Sequence, residues 1–394
     1  MAQAVGTPVF VYDGDRFWER IDRLHAALEN TPHAACYALK ANDALALIAI
    51  AARAGLGADV VSGGELLKAL RAGMLPEDIV FSGVGKHRDE IRTALEIGIR
   101  SLNVESHAEL KVVAEEASKV RTRAPISIRI NPSVEPGTHP YTSTGGAGSK
   151  FGIPLDEAVA AYRYADGHRW LEPVGIAFHV GSQLFDTAPI IEAAEKAAAV
   201  WRELISLGIQ LRDFDAGGGL GVPYEGQPEP SLRGYVNPLT SIAGSLEATL
   251  VLELGRWLVA EAGVLLTEVL YTKDTGNRHV VVCDAGMNDL IRPALYGSHH
   301  PIDLLVPAGT RELRRVDLVG PVCESGDFFA LDRELSAPEA GDLIRIGFAG
   351  AYARVMSSTY NARPLAPEVL IEGSEWRTIR ERQTVEDLSP GERA

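Results

Sequence analysis

Between residue 15 and about residue 262, short apolar runs rich in β-branched residues alternate with longer stretches in which Leu, Ile and Ala recur at three- and four-residue spacing. The short runs predict strands at residues 35–39, 58–61, 79–82, 101–104, 126–130, 174–179, 211–215 and 250–253. Amphipathic stretches between them predict helices, among them residues 64–72, 88–97, 109–118 and 190–207. Strand-then-helix alternation gives parallel strands joined by crossover helices, and eight such units in about 250 residues predict an α/β fold with a closed TIM-type (β/α)8 barrel over residues 15–262. An open doubly wound sheet is the competing architecture.

After residue 263 the texture changes. Runs at 264–271, 279–283, 316–319, 343–346 and 368–371 are separated by turn residues rather than long helices. They predict a C-terminal all-β domain over residues 263–394, a sandwich or barrel-like unit. The N-terminal segment 1–14 carries one further strand, residues 9–12, expected to pair into it.

Composition narrows the function. Over 394 residues, 46% hydrophobic and 23% charged content is ordinary globular usage, and a formal net charge of −15 disfavours non-specific attraction to nucleic acid or anionic lipid. No stretch reaches the ~18 uninterrupted apolar residues of a membrane span, and Met1 to Pro8 lacks the basic start and apolar core of a signal peptide. Three cysteines without a Cys-x-x-Cys spacing indicate neither a disulfide framework nor a structural zinc site. The expectation is a cytoplasmic protein without a metal, acting on a small molecule.

In such a barrel the chemistry projects from the C-terminal ends of the strands. There the sequence places Lys40 after the first strand, Asp59 in the second, His179 at the end of the sixth, Gly217-Gly218-Gly219 after the seventh, and Glu253 with Gly255-Arg256 at the eighth. Taken singly, each has a plain reading. Lys40 could snorkel to solvent, the glycines could form a turn, Glu253 could join a structural ion pair, and His179 could be a core residue. Taken together, they match one cofactor. Lys40 can hold pyridoxal 5'-phosphate as a Schiff base, the glycine backbone can cradle a phosphate, Glu253 can pair with a protonated pyridine nitrogen, and His179 can stack on the ring.

The motifs Tyr37-Ala38-Leu39-Lys40-Ala41-Asn42, Gly57-Ala58-Asp59, Lys150-Phe151-Gly152-Ile153, His179-Val180-Gly181-Ser182-Gln183, Asp284-Ala285-Gly286-Met287 and Cys323-Glu324-Ser325-Gly326-Asp327 resemble those of the fold-type III pyridoxal-phosphate decarboxylases. These enzymes join an alanine-racemase-like barrel to a β domain. The likeness runs from Thr7-Pro8 to about Asp387 and is greatest to members that convert meso-2,6-diaminopimelate to L-lysine and CO2.

The resemblance implies that Lys40, Asp59, His179, Ser182, Gly217, Gly218, Gly219, Glu253, Gly255, Arg256 and Tyr352 bind the cofactor. It assigns the substrate to Arg256, Arg292, Tyr296, Glu324 and Tyr352. Catalysis falls to Lys40, His179 and Cys323, with Cys323 and Glu324 reaching the site of a second subunit in a homodimer. Two positions depart from the family pattern: Leu254 replaces a usual proline, and Arg354 stands where a small residue is common. The alternatives are a decarboxylase for ornithine, arginine or carboxynorspermidine, or a regulatory homologue that binds the cofactor without catalysis.

Overall fold

The computed structural model describes all residues except 136, 138–144, 147, 306–310 and 394. Within 141–150, residues 141–144 and 147 therefore lie outside the described residues. The chain divides into two compact units, Trp18–Val222 with Glu229–Trp257, and Met1–Phe17 with Pro223–Pro228 and Leu258–Ala394.

The first unit is the barrel. Its strands, His33–Ala38, Gly57–Val60, Ile79–Phe81, Ser101–Val104, Ala124–Asn131, Leu171–Ala177, Asp213–Asp215 and Thr249–Leu254, pair in parallel in chain order. Thr249–Leu254 closes the ring on His33–Ala38, with Glu253 opposite Cys36. All eight predicted barrel strands are present. Near-continuous apolar runs suit them because a parallel barrel strand is covered on both faces, by the interior on one side and the helices on the other. Ile126, Ile128, Ile176 and Leu250, for example, are fully buried.

Local signals set the crossover helices. Ser62 and Ser106 accept hydrogen bonds from the backbone N–H of Glu65 and Glu109, capping the helices Gly63–Arg71 and His107–Val120. Two strand ends differ from expectation: Lys40 lies in a 3-10 turn, Leu39–Ala41, beyond the end of its strand, and the sixth strand stops at Ala177, two residues before His179. Both side chains therefore sit on the loop rim, where TIM barrels place their chemistry.

In the second unit nine strands form one hydrogen-bonded network. Val9–Asp13 pairs antiparallel with Gly263–Thr275 and parallel with Glu368–Glu372, as the N-terminal strand was expected to do. Three strands had no clear signal: Ile302–Leu304, Phe328–Ser336 and Glu375–Arg380. The first is only three residues long. A register irregularity between Phe328–Ser336 and its neighbour Leu313–Val319 breaks the period-two pattern, and Glu375–Arg380 is a polar edge strand.

This unit includes more chain than residues 1–14 and 263–394. Leu258–Ala262 belongs to it because the Ala260 carbonyl accepts from Gly350 N–H, and Pro223–Pro228 belongs because Tyr224 packs against His300 and Phe348. Arg354 faces Glu368, at 3.7 Å, inside the same unit. Among the described residues no helix is long and apolar enough to cross a membrane.

Candidate active site

A cavity of about 310 Å3 opens among the barrel strand ends, walled in part by Lys40, Ser82, Asn103, His179, Asp215 and Glu253. Lys40 Nζ lies 2.7 Å from Asp59 Oδ2. Asp59 is fully buried, and its other oxygen, Oδ1, has no hydrogen-bond partner among the described residues. A buried carboxylate held by one lysine fixes the direction of that lysine while favouring its cationic form.

Across the cavity, Glu253 Oε1 accepts from Ser82 Oγ at 3.2 Å and from Asn103 Nδ2 at 3.3 Å. The same Asn103 amide reaches Asp215 Oδ2 at 3.0 Å, and Asp215 Oδ1 accepts from Gly217 N–H at 2.9 Å. Burial, then repulsion from Asp215 and Asp59, pushes the Glu253 carboxyl well above its usual range. Burial pushes Asp215 up to about 6. The barrel interior thus gathers three buried acids around one lysine. Arg129, the other cation on the wall, is already paired with Glu105 at 2.8 Å and stacked 4.7 Å from the Phe151 ring centroid.

His179 Nδ1 accepts from Gly218 N–H at 3.2 Å, which puts the ring proton on Nε2. Burial, with the positive charges of Lys40 and Arg129, holds its pKa well below the ordinary histidine value. The ring on the cavity wall is therefore a neutral, flat imidazole suited to stacking.

The glycine run folds into a tight backbone curve. Gly219 has φ +118°, and a Cβ there would lie 2.4 Å from the Gly181 carbonyl oxygen, so only glycine fits without displacing backbone. Arg256 Nε and Nη2 hold Ser182 Oγ at 3.2 and 3.0 Å. Of the predicted barrel residues, Lys40, His179 and Glu253 line the cavity, Asp59 pairs with Lys40, Gly218 bonds His179, and Ser182 bonds Arg256.

The remaining predicted site residues belong to the β unit. Arg292 and Tyr296 open and close the short helix Arg292–Tyr296, and Tyr352 has a left-handed backbone, φ +55°. Cys323 and Glu324 lie on an exposed turn, where the Cys323 N–H donates to Asn361 Oδ1 at 3.0 Å. The Cys323 thiol is thus an exposed group of the turn rather than part of an apolar core.

The sequence reading missed Ser82, Asn103, Arg129 and Asp215. Each is a polar residue at or near the C-terminal end of a barrel strand, so the rule that singled out Lys40 and Glu253 could have found them too.

These residues fit pyridoxal phosphate. A surplus of buried carboxyls suits a cationic ring nitrogen, a lysine faces the same space, and bare glycine backbone curves beside it. Residues 15–260 match the family described as the pyridoxal-binding domain of pyridoxal-dependent decarboxylases. The chain belongs to that family.

Among its relatives, the diaminopimelate decarboxylase of Helicobacter pylori is 45% identical over 98% of this chain and 95% of its own. That of Pseudomonas aeruginosa is 44% identical over 100% and 94%. A crystal structure of the Helicobacter pylori enzyme complexed with L-lysine superposes with a TM-score of 0.95 at 45% identity, covering 98% of this chain and 96% of that one. The diaminopimelate decarboxylase of M. jannaschii in co-complex with L-lysine gives a TM-score of 0.93 at 37% identity, with 98% and 92% coverage. The barrel and separate β unit of the pyridoxal-dependent decarboxylases are thus the architecture of this chain.

Proposed function

We propose that the protein removes CO2 from meso-2,6-diaminopimelate to give L-lysine, using pyridoxal 5'-phosphate. The observation that carries this is the pairing of Lys40 with buried Asp59 in a cavity whose other walls hold Glu253 and neutral His179. The substrate follows from relatives that are diaminopimelate decarboxylases over nearly the whole chain.

When bound, pyridoxal phosphate supplies a carbonyl that condenses with amines and a cationic ring that accepts the electron pair left by CO2. The chain's own residues do the rest. Lys40 Nζ holds the cofactor covalently, and Asp59 keeps that nitrogen aimed and protonated. Glu253 would pair with the ring nitrogen and favour its charged form, His179 would lie against the ring, and Ser182, Gly217, Gly218, Gly219, Gly255, Arg256 and Tyr352 would hold the phosphate end.

Diaminopimelate carries an amino and a carboxyl group at the far end as well as at the reacting carbon. Arg292, with Arg256, Tyr296 and Tyr352, suits the far carboxylate because a guanidinium binds it through two parallel hydrogen bonds, while Glu324 suits the far ammonium. Cys323 returns a proton to the carbon that loses CO2. The protein works as a homodimer in which Cys323 and Glu324 of one subunit serve the barrel of the other, and it acts in the cytoplasm.

The test is CO2 release from purified holoenzyme supplied in turn with meso-diaminopimelate, ornithine, arginine and lysine. Turnover of meso-diaminopimelate at least about a hundredfold above the others is expected, a discrimination of about 2.7 kcal/mol. Preferential release from ornithine or arginine would overturn the substrate assignment, and no release from any would leave a cofactor-binding protein without this activity.

A further inference from the structure

Arg292 is 5% exposed, and its guanidinium is held from several sides. Nη1 lies 2.9 Å from His300 Nε2, Nη2 lies 3.3 Å from Ser298 Oγ, and Cζ stands 4.5 Å above the centroid of the Tyr224 ring. Tyr224 in turn meets the His300 ring at 5.2 Å, edge to face.

His300 is fully buried, and both of its nitrogens are committed. Nδ1 lies 2.9 Å from the carbonyl oxygen of Gly347. A carbonyl only accepts, so Nδ1 carries a proton. An arginine only donates, so Nε2 carries none. One species satisfies both contacts, the neutral imidazole protonated at Nδ1.

The choice of a neutral acceptor matters. A carboxylate in the same place would orient Arg292 equally well, but it would cancel the charge and compete with an incoming carboxylate. A neutral imidazole fixes the direction of the guanidinium without itself adding a negative charge beside it. The Tyr224 face restrains the plane of the group in the same way, by a cation–π contact that adds no anion.

We propose that His300, locked in the Nδ1–H tautomer by Gly347, is the positioning residue that aims Arg292 at the distal carboxylate of the substrate and thereby sets the preference for substrates that carry it. The proposal rests on the assignment of Arg292 to that carboxylate, and its test keeps the two apart.

L-lysine and cadaverine differ only in that carboxylate, so inhibition of the holoenzyme by each reads the groups that bind it, Arg292 among them. His300→Asn keeps a donor near the Nδ1 position for Gly347 but loses the acceptor facing Arg292. His300→Gln places an acceptor near the Nε2 position. In H300N the L-lysine inhibition constant and the KM for meso-diaminopimelate rise about tenfold or more, which corresponds to about 1.4 kcal/mol. Inhibition by cadaverine, kcat and the visible absorbance of bound cofactor stay close to wild type. H300Q retains most of the wild-type preference for L-lysine over cadaverine.

Equal weakening of both inhibitors in H300N, or no weakening of either, overturns the proposal. So does an H300Q variant that loads cofactor normally yet loses the preference, an outcome that decides the matter even where H300N does not fold. Arg292→Ala separates the two levels. If R292A keeps the preference for L-lysine over cadaverine, the assignment of Arg292 is what fails and the proposal falls with it; if R292A abolishes the preference and H300N does not, the fault lies with His300 alone.

Discussion

Glu253 and Asp215 lie side by side inside the barrel, two buried carboxyl groups pushed above their usual range by burial and, for Glu253, by the charge of Asp215. Asn103 ties both from the side, and Asp215 extends the connection to the Gly217 N–H at the start of the glycine run. Glu253 is therefore joined, through Asn103 and Asp215, to the backbone at the start of the glycine run.

The first prediction concerns the cofactor-free chain. Burial raises the folded pKa of Asp215 from 3.8 to about 6. Between those values the native state keeps a proton that the unfolded chain has lost, so the contribution of this group to stability is complete below about pH 4 and is lost as pH rises through about 6. Urea unfolding of cofactor-free wild type against Asp215→Asn, from pH 4.5 to 7, should show a flatter pH dependence in the variant. An unchanged slope would place the titration on another group, for which Glu65, raised to about 7 mainly by burial, is the candidate.

Lys40→Ala should abolish the visible absorbance that purified protein shows with pyridoxal phosphate, and because it leaves the fully buried Asp59 without its lysine, the apoprotein should stay folded but melt more than about 4 °C lower. A third of the Lys40 side chain is exposed, so removing it leaves no closed cavity behind. A variant that retains the band would show that the cofactor is held elsewhere.

Asp59→Asn keeps the shape of a fully buried side chain and removes the anion 2.7 Å from Lys40 Nζ. Losing a neighbouring negative charge disfavours the protonated nitrogen, so the pH at which the visible spectrum of the holoenzyme titrates should fall by about one unit or more. A titration that stays in place would mean that Asp59 orients the lysine without controlling its charge.

The barrel was readable from the chain because its strands are continuous apolar runs bounded by turn residues, and because the sixth and seventh strands, though shorter or shifted at their ends, kept enough of that pattern to be counted. The β unit was less readable. Phe328–Ser336 mixes Asp332, Arg333 and Glu334 into a strand with an irregular register, and Glu375–Arg380 lies at a sheet edge where no apolar face is required. The site divided along similar lines. Lys40 and Glu253 stood out as charges beside apolar strands, whereas Asn103 and Asp215 owe their importance to a network formed by different strands, which no local window contains. His300 has the same character, since its tautomer follows from Gly347, far away in sequence.

Gly219→Ala should weaken pyridoxal phosphate binding and destabilise the fold together. The new methyl group would meet the Gly181 carbonyl oxygen at 2.4 Å in a backbone conformation, φ +118°, that alanine rarely adopts. A cost of about 2 kcal/mol or more is expected in urea unfolding, with at least about a tenfold loss in cofactor affinity by spectral titration. Normal stability and affinity would show that the loop relaxes around the methyl group.

The last prediction tests the shared site. Cys323 and Glu324 lie on an exposed turn of the β unit, whereas Lys40 belongs to the barrel unit. If each active site combines Lys40 of one subunit with Cys323 of the other, Lys40→Ala and Cys323→Ala proteins are each inactive or nearly so alone. A mixed dimer of the two has one doubly defective site and one in which both residues are intact. Random reassociation of equal amounts makes about half of the dimers hybrid, so activity should recover to about a quarter of wild type. Native mass spectrometry of the mixture establishes that exchange has taken place. Hybrid dimers without recovered activity would place Lys40 and Cys323 of the same subunit in one site, and a failure to find dimers at all would remove the shared site altogether.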